Sequence, residues 1–450
     1  MDQIKHSRRQ FLQTSAALTT AAIAPMTYAG IKAKTGANGK LNIGVIGCGG
    51  RGRANLRGIQ GENIYAICDV NPTTLAKTKN KYPNAKVFVQ WQKLLEDPKI
   101  HAVTVSTADH QHALISIAAM RAGIHVYCEK PLAHTIFEAR IMQDEYLKRK
   151  GTLATQMGTQ IHATENYRRA VELIQSGAIG NISQAHVWCG RTIRDVKAAV
   201  LPKQANKENY HWKQWLGPAS DRPYNAGYWR GGNMNWNRRW EFGNGVLGDM
   251  GSHLVDLPYW ALRLNRPTTI ESIGPKPHPI SCPAWQQVTW EHPPNASNDY
   301  LNQNKKVVWY HGKKGIAMRD AHLQKLVGDD TNLKKWFIGV LFIGEKGILV
   351  ADYKQVLLSP GKKFKNSTPP QKSISQSLGH HQEWLNACKT GQPTLCNFDY
   401  SGKLIEHNLL GNVAHRVGKK LQWDATKLVA TNAPQASKYL TKQYKKGWAI

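Results

Sequence analysis

The sequence predicts an α/β fold in two domains. The first is a doubly wound parallel sheet; the second is an α/β domain on an open, mostly antiparallel sheet. Three observations predict this. Short apolar runs alternate with helix-compatible segments from Leu41 to Gln156. The first run leads straight into a glycine cluster, Gly47 to Gly52. In the second half, strand-like runs recur between loops, which suits antiparallel pairing.

The elements follow in order. Residues 41–46 read as a strand and 53–59 as helix-compatible, with Gly47, Gly49 and Gly52 fitting G-x-G-x-x-G between them. In a Rossmann domain the first glycine makes the tight turn, the second lets backbone approach a pyrophosphate, and the third lets helix and strand pack closely. Gly50 and Arg51 belong to the same loop. Asp69 ends the next strand, 64–68, and stands 20 residues after Gly49. A carboxylate there accepts hydrogen bonds from the adenosine ribose hydroxyls, which favours NAD over NADP. Arg51 keeps NADP open, since an arginine by that loop can meet a 2′-phosphate. Helices are expected at 73–81 and 91–96. A strand at 102–106 leads to Thr107-Ala108-Asp109-His110. The alanine-rich segment 112–122 is a helix stopped by Gly123. A strand at 124–128 ends in Glu129-Lys130-Pro131, 135–149 is helical, and 153–156 is a further strand. Ligands of such sheets bind at the carboxyl ends of the strands. Candidate cofactor contacts are therefore Gly47, Gly49, Gly50, Arg51, Gly52, Asp69, Ser106, Thr107, His110, His112, Glu129, Lys130 and Gln156.

The second half opens with a helix at 166–175 and a strand at 182–188. An irregular stretch, 191–244, is rich in Trp, Tyr, Arg, Asn and Gly. Gly248-Asp249-Met250-Gly251-Ser252-His253 then opens a helix running to 262. Asp249 and His253 are four apart and share one face of it. A histidine is a natural proton acceptor near neutral pH, and a carboxylate one turn away can orient it. A helix start with a capping aspartate and a packed histidine fits the spacing equally well. Strand-like pieces follow at 268–273, 286–290, 306–310, 336–342 and 347–350, and helices at 380–387 and 400–417. The expected boundaries are 41–160 for the nucleotide domain and 161–425 for the second domain. A linker, 30–40, precedes them and a basic tail, 426–450, follows.

Taken in order, Gly47-x-Gly49-x-x-Gly52, Asp109-His110-Gln111-His112, Glu129-Lys130-Pro131 and Asp249-x-x-x-His253 resemble the glucose–fructose oxidoreductase / inositol dehydrogenase / MocA family. Ala154-Thr155-Gln156-Met157-Gly158, Trp215-Leu216-Gly217-Pro218 and Leu409-Leu410-Gly411-Asn412-Val413-Ala414 resemble an exported branch of it. The resemblance implies hydride transfer between a nicotinamide and a sugar, polyol or glycoside carbon. It matches Lys130, Asp249 and His253 to the family's catalytic lysine, aspartate and histidine. In that reading His253 is the base, Lys130 hydrogen-bonds the reacting oxygen, and Asp249 holds His253 or another substrate hydroxyl. Trp215, Tyr228, Arg239 and Trp240 become candidate sugar-stacking walls and hydroxyl clamps, against the alternative of packing and a subunit contact. A homo-oligomer, dimer or tetramer, is expected. Two rival readings stand beside this one. One is an NAD-dependent glycoside hydrolase working by transient oxidation and elimination. The other is an inactive sugar-binding or scaffold protein.

The start of the chain carries a separate message. Ser7-Arg8-Arg9-Gln10-Phe11-Leu12 is a twin-arginine signature before a weakly apolar segment, and Thr27-Tyr28-Ala29 is a small-residue cleavage site. The twin-arginine machinery is an expected partner, and the expected location is a bacterial periplasm after cleavage near Ala29. Because that route carries folded proteins, a tightly bound NAD loaded in the cytosol can travel with the chain. The 450 residues bear a formal net charge of +30 and 41% are hydrophobic. The basic residues are spread along the chain, and no helix-turn-helix, zinc-finger or stacking-platform motif accompanies them, so no nucleic-acid partner is expected. No run of apolar residues reaches membrane-spanning length. The seven cysteines show no C-x-x-C and no zinc spacing, so free buried thiols and no metal are expected.

Overall fold

The computed structural model describes residues 38–450 apart from 197, 296, 298, 328–331 and 366–369. The twin-arginine segment lies outside the described residues. The first half builds six strands: β1 (Asn42–Ile46), β2 (Asn63–Cys68), β3 (Lys86–Phe88), β4 (Ala102–Val105), β5 (His125–Cys128) and β6 (Thr155–Met157). They pair in parallel in the order β3-β2-β1-β4-β5-β6. β4, β5 and β6 are buried along their whole length, as strands covered on both faces must be. Strand order turns back between β1 and β4, which opens a crevice at their carboxyl ends.

The connecting helices start where the sequence provides a cap. Asn71 accepts from the N–H groups of Thr73 and Thr74 to begin Pro72–Lys81. Thr135 and Glu138 form a capping box at Ile136–Leu147. The helix expected from 112 begins earlier, at Asp109, and runs to Arg121.

The second domain is a nine-stranded sheet. Its strands are β7 (Ile182–Cys189), β8 (Thr269–Ile273), β9 (Gln286–His292), β10 (Lys305–His311), β11 (Ile338–Gly344), β12 (Gly347–Ala351), β13 (Val356–Ser359), β14 (Leu421–Asp424) and β15 (Val429–Ala430). The order is β13-β12-β11-β7-β10-β9-β8-β14-β15. β7 and β10 pair in parallel, and the remaining pairs are antiparallel.

Two helices from the last third of the chain tie the domains together. His380–Thr390 packs Trp384, Leu385 and Cys388 against Ile43, Val45 and Leu56 of the nucleotide domain. Phe398–Val417 lies between the second sheet and helix Ile136–Leu147, and its His407 carbonyl accepts from Trp290 Nε1 at 2.8 Å. A buried charge cluster pins this contact. Glu406, fully buried, accepts from Arg140 at 2.9 Å and from Arg266 at 3.0 Å. Burial alone would raise the Glu406 pKa, and the two guanidinium groups hold it below the ordinary carboxylate range instead.

Other outcomes differ from expectation. The helix expected at 248–262 is two, Gly245–Leu254 and Asp256–Ala261, broken at Val255. Residues 426–450 are not a free tail. They contribute β15 and a short helix, Ser437–Leu440, and then fold back onto the nucleotide domain. All seven cysteines are buried and unpaired. Among the described residues, no helix is long and apolar enough to cross a membrane.

Candidate active site

A cleft of about 990 Å³ runs along the carboxyl ends of β1, β2, β4 and β5 and is walled on the far side by the second domain. Gly47, Gly49, Gly50, Arg51, Asp69, Ser106, Thr107, Glu129 and Lys130 line one side; Trp215, Asp249 and His253 line the other.

The glycine loop is shaped by contacts on its inner side. Gly47 has φ +85° and donates its N–H to the Cys68 carbonyl at 2.8 Å. A Cβ on it would stand 2.5 Å from the Ser106 carbonyl oxygen, and one on Gly52 would stand 1.9 Å from the Gly47 oxygen. Gly52 therefore sits under the loop rather than on the cleft. Gly50 faces open space, with nothing within 4 Å of a Cβ. Helix Gly50–Gly58 begins with no side-chain cap and no acidic residue in its first turn, so its free N–H groups suit an anion. The Asp69 carboxylate accepts from Cys48 N–H at 2.7 Å and Asn71 N–H at 2.8 Å, which fixes it beside the loop. Burial raises its pKa, and those backbone donors oppose the rise. These residues fit a dinucleotide, with the uncapped helix for the pyrophosphate and Asp69 for a ribose. Gln160 lines the cleft as well, and its buried Oε1 has no partner among the described residues.

Arg51 does not stand at the ribose end. Its Nε donates to Glu129 Oε1 at 3.1 Å, and Asn55 donates to the same oxygen at 3.0 Å. Glu129 follows β5, and β1 and β4 separate β5 from the β2 end that carries Asp69. Arg51 thus points toward Glu129, away from the Asp69 end. Ser106 Oγ accepts from Asn55 at 2.9 Å on the same side.

At the other end of the cleft, Lys130 Nζ is paired with Asp249, which also accepts from Arg191 at 2.5 Å. Burial would raise the Asp249 pKa, but the Lys130 ammonium and the Arg191 guanidinium hold it below the ordinary value. This corrects one expectation. Asp249 does not orient His253 by a hydrogen bond; its oxygens go to the two cations. His253 Nδ1 instead lies 3.4 Å from Thr159 Oγ1, and Thr159 donates to the Ser252 carbonyl at 3.0 Å. With its own proton committed, that oxygen accepts from Nδ1–H, which leaves the lone pair on Nε2. Burial, reinforced by Lys130, pushes the His253 pKa well below the ordinary imidazole value. Asp109, also on the cleft, is pushed well up by burial; Lys130 opposes this and Asp249 adds to it.

Several expected contacts lie elsewhere. Both His112 nitrogens meet backbone carbonyls, Pro131 at 2.7 Å and Thr107 at 3.1 Å, so this histidine braces the cleft from behind. His110 Nε2 faces the Trp215 carbonyl at 3.0 Å and borders a second cavity of about 390 Å³. Gln156 donates to the His380 carbonyl at 2.6 Å, away from the cleft lining. Of the four substrate candidates, Trp215 reaches the cleft. Tyr228 is fully buried, and its hydroxyl accepts from Leu201 N–H at 2.6 Å. Arg239 donates to the Ala198 carbonyl at 2.7 Å, Trp240 donates to the His278 carbonyl at 3.0 Å, and both border the second cavity. None of these three lines the cleft: Tyr228 packs in an aromatic cluster with Trp212 and Phe242, the Arg239 guanidinium lies 4.8 Å from the Tyr228 ring, and Trp240 belongs to the main core. Arg191 carries no signal in the sequence, because a lone arginine in an irregular stretch has no spacing pattern.

Residues 41–157 match the model of the oxidoreductase family's NAD-binding Rossmann fold, and 174–324 match that of its C-terminal alpha/beta domain. The chain belongs to the Gfo/Idh/MocA oxidoreductase family. It is similar to a levoglucosan dehydrogenase of Pseudarthrobacter phenanthrenivorans, 32% identical over 160 residues, covering 32% of this chain and 39% of that protein. It is also similar to a myo-inositol 2-dehydrogenase of Thermotoga maritima, 34% identical over 143 residues, covering 31% and 42%. A glycosyl hydrolase family 109 protein of Stenotrophomonas maltophilia is 30% identical over 210 residues, covering 42% and 43%. The matched part spans about two fifths of each of these relatives. Among solved structures, levoglucosan dehydrogenase in complex with NADH and levoglucosan shares the Gfo/Idh/MocA fold at TM-score 0.55 and 18% identity, over 85% of this chain and 99% of that one. GenD2 from gentamicin A biosynthesis in complex with NAD does so at TM-score 0.57 and 17% identity, over 90% and 100%.

Proposed function

We propose that this protein moves hydride between NAD and a secondary hydroxyl of a sugar, polyol or glycoside. The observation that carries the proposal is the single cleft that joins the glycine loop and Asp69 to Lys130, Asp249 and His253. NAD, when bound, supplies the hydride acceptor. The chain's own residues handle the proton and the charge. His253 Nε2 takes the hydroxyl proton, and its lowered pKa keeps the imidazole in the neutral form that can accept it. The Lys130 ammonium donates to the reacting oxygen as negative charge develops there. Asp249, held on its far side by Arg191, aims that ammonium. NAD is favoured over NADP because Asp69 repels a 2′-phosphate and Arg51 is committed to Glu129.

A second reading, glycoside hydrolysis by transient oxidation and elimination, rests on the match to the family 109 protein. One experiment separates the two. Any nucleotide carried by the purified protein is identified by mass spectrometry, and free sugars, polyols and aryl glycosides are screened. Net NADH formation supports the dehydrogenase; aglycone release without net NADH supports the hydrolase. A chain that carries and binds no nicotinamide nucleotide and is inert on every substrate overturns both and leaves the scaffold reading.

We further propose export to a bacterial periplasm, on the strength of Arg8-Arg9 and the segment that follows. Replacing both arginines with lysine is expected to hold the precursor inside the cell; undiminished export refutes this.

A further inference from the structure

We infer that the C-terminal segment, 441–450, is a strap across the Asp69 end of the cleft, and that Trp448 is its contact with the nucleotide and slows nucleotide release. This rests on the NAD reading above. The strap is fastened at several points. Lys442 Nζ lies 2.7 Å from Glu138 Oε1 and donates to the His110 carbonyl at 3.0 Å. Tyr444 OH donates to the same Glu138 oxygen at 2.7 Å. Glu138 is fully buried, and its other oxygen closes the capping box of helix Ile136–Leu147, so the anchor is rigid. Lys445 N–H then donates to the Pro218 carbonyl at 3.0 Å, and Lys445 Nζ pairs with Asp221 at 2.5 Å.

Beyond these anchors the chain turns back, with Trp448 N–H donating to the Lys445 carbonyl at 3.0 Å. The Trp448 indole enters the cleft wall, its ring centroid 6.2 Å from that of Trp91. Trp91 follows β3, and β3 pairs with β2, the strand that ends at Asp69; Asp69 N–H itself donates to the Phe88 carbonyl at 3.3 Å. The two indoles therefore wall the adenosine end, across the sheet from Lys130. Trp91 Nε1 is buried with no hydrogen-bond partner among the described residues. A flat aromatic wall beside a ribose-binding carboxylate suits a purine. A strap held from outside makes that wall a closure the nucleotide must pass.

The test uses the full chain with Trp448→Ala, Trp448→Phe and a truncation after Gln443. Release of NADH is followed by its fluorescence, and release of ADP-ribose by displacement. Trp448→Ala and the truncation are expected to release both ligands about tenfold faster, the scale of one lost aromatic contact, whereas Trp448→Phe keeps the ring and stays near wild type. Equal acceleration for ADP-ribose, which lacks nicotinamide, is the signature of the adenosine end. Release within twofold of wild type for both Trp448→Ala and the truncation overturns the strap while leaving the NAD reading intact, as does acceleration of NADH alone. A wild-type chain that binds no nicotinamide nucleotide overturns both.

Discussion

Gly52→Ala tests the nucleotide seat without knowledge of the substrate. The added Cβ would lie 1.9 Å from the Gly47 carbonyl oxygen, 2.8 Å from its carbon and 3.3 Å from Ser106 Cβ. Real contacts of this kind begin well beyond 3 Å, so something must move by more than an ångström. Gly47 is held, because its N–H is bonded to the Cys68 carbonyl. The start of helix Gly50–Gly58 must therefore swing away from β1. Overpacking of this sort costs about 1–3 kcal/mol of stability. It also turns the helix N–H groups off the pyrophosphate. Losing two hydrogen bonds to a charged ligand, at about 1.5–3 kcal/mol each, weakens NAD by roughly two to four orders of magnitude. Titration calorimetry with NAD reads this directly, and Gly61→Ala is the control, since a Cβ there meets nothing within 4 Å. A folded Gly52→Ala protein that binds NAD within threefold of wild type would refute the seat.

Three further outcomes follow. Lys130→Ala and His253→Ala are each expected to lower kcat by about two to four orders of magnitude while changing NAD affinity little; near-normal turnover in the His253 variant from about pH 6 to 9 makes that residue structural. Asp69→Ala should narrow or reverse the preference for NAD, which paired titrations with NAD and NADP measure, and an unchanged ratio refutes its role. Stability should fall with pH below about 6.5: burial lowers the pKa of His110 and His186 to about 3 and of His125, His292 and His311 to about 4, so the unfolded chain binds protons that the folded chain does not. Each such group forfeits about 2 kcal/mol at pH 5, so a urea midpoint that stays flat from pH 7.5 to 5 refutes the burial of these histidines.

Much of the first domain is legible in the sequence because local signals and tertiary demands agree there. The buried strands are mostly apolar runs, and several turns are marked by glycine, Asn71 or Thr135. The second domain is legible as strands but not as a sheet: nothing in β7 or β10 announces that they pair in parallel across more than a hundred residues. Helix Gly312–Val327 went unread for a specific reason. Arg319 occupies a core position of its inner face, 1% exposed, with its guanidinium 4.8 Å from the Trp188 ring, so the apolar stripe of Ile316, Leu323 and Val327 is interrupted by a charge. The site was legible where a motif held the residues together, as at Glu129-Lys130-Pro131. It was not where an isolated side chain arrives from a distant loop, as Arg191 does. The aromatic stretch misled because tryptophan and tyrosine serve a stacking wall and a packed cluster equally well.

Of the cations lining the cleft, Arg51 is paired with Glu129, Lys130 with Asp249, Arg230 with Glu208 and Lys445 with Asp221. Lys213 is exposed at the rim. Near the reacting end two cations, Lys130 and Arg191, share one carboxylate, Asp249, while burial keeps Asp109 and His253 toward their neutral forms. An anionic group entering there would compete with Asp249 for these two cations, at a cost to the buried carboxylate. An uncharged polyhydroxy compound has no such cost, because its hydroxyls can donate to Asp249 and accept from Lys130 without displacing either. This shared pairing is compatible with the neutral sugar or polyol proposed above.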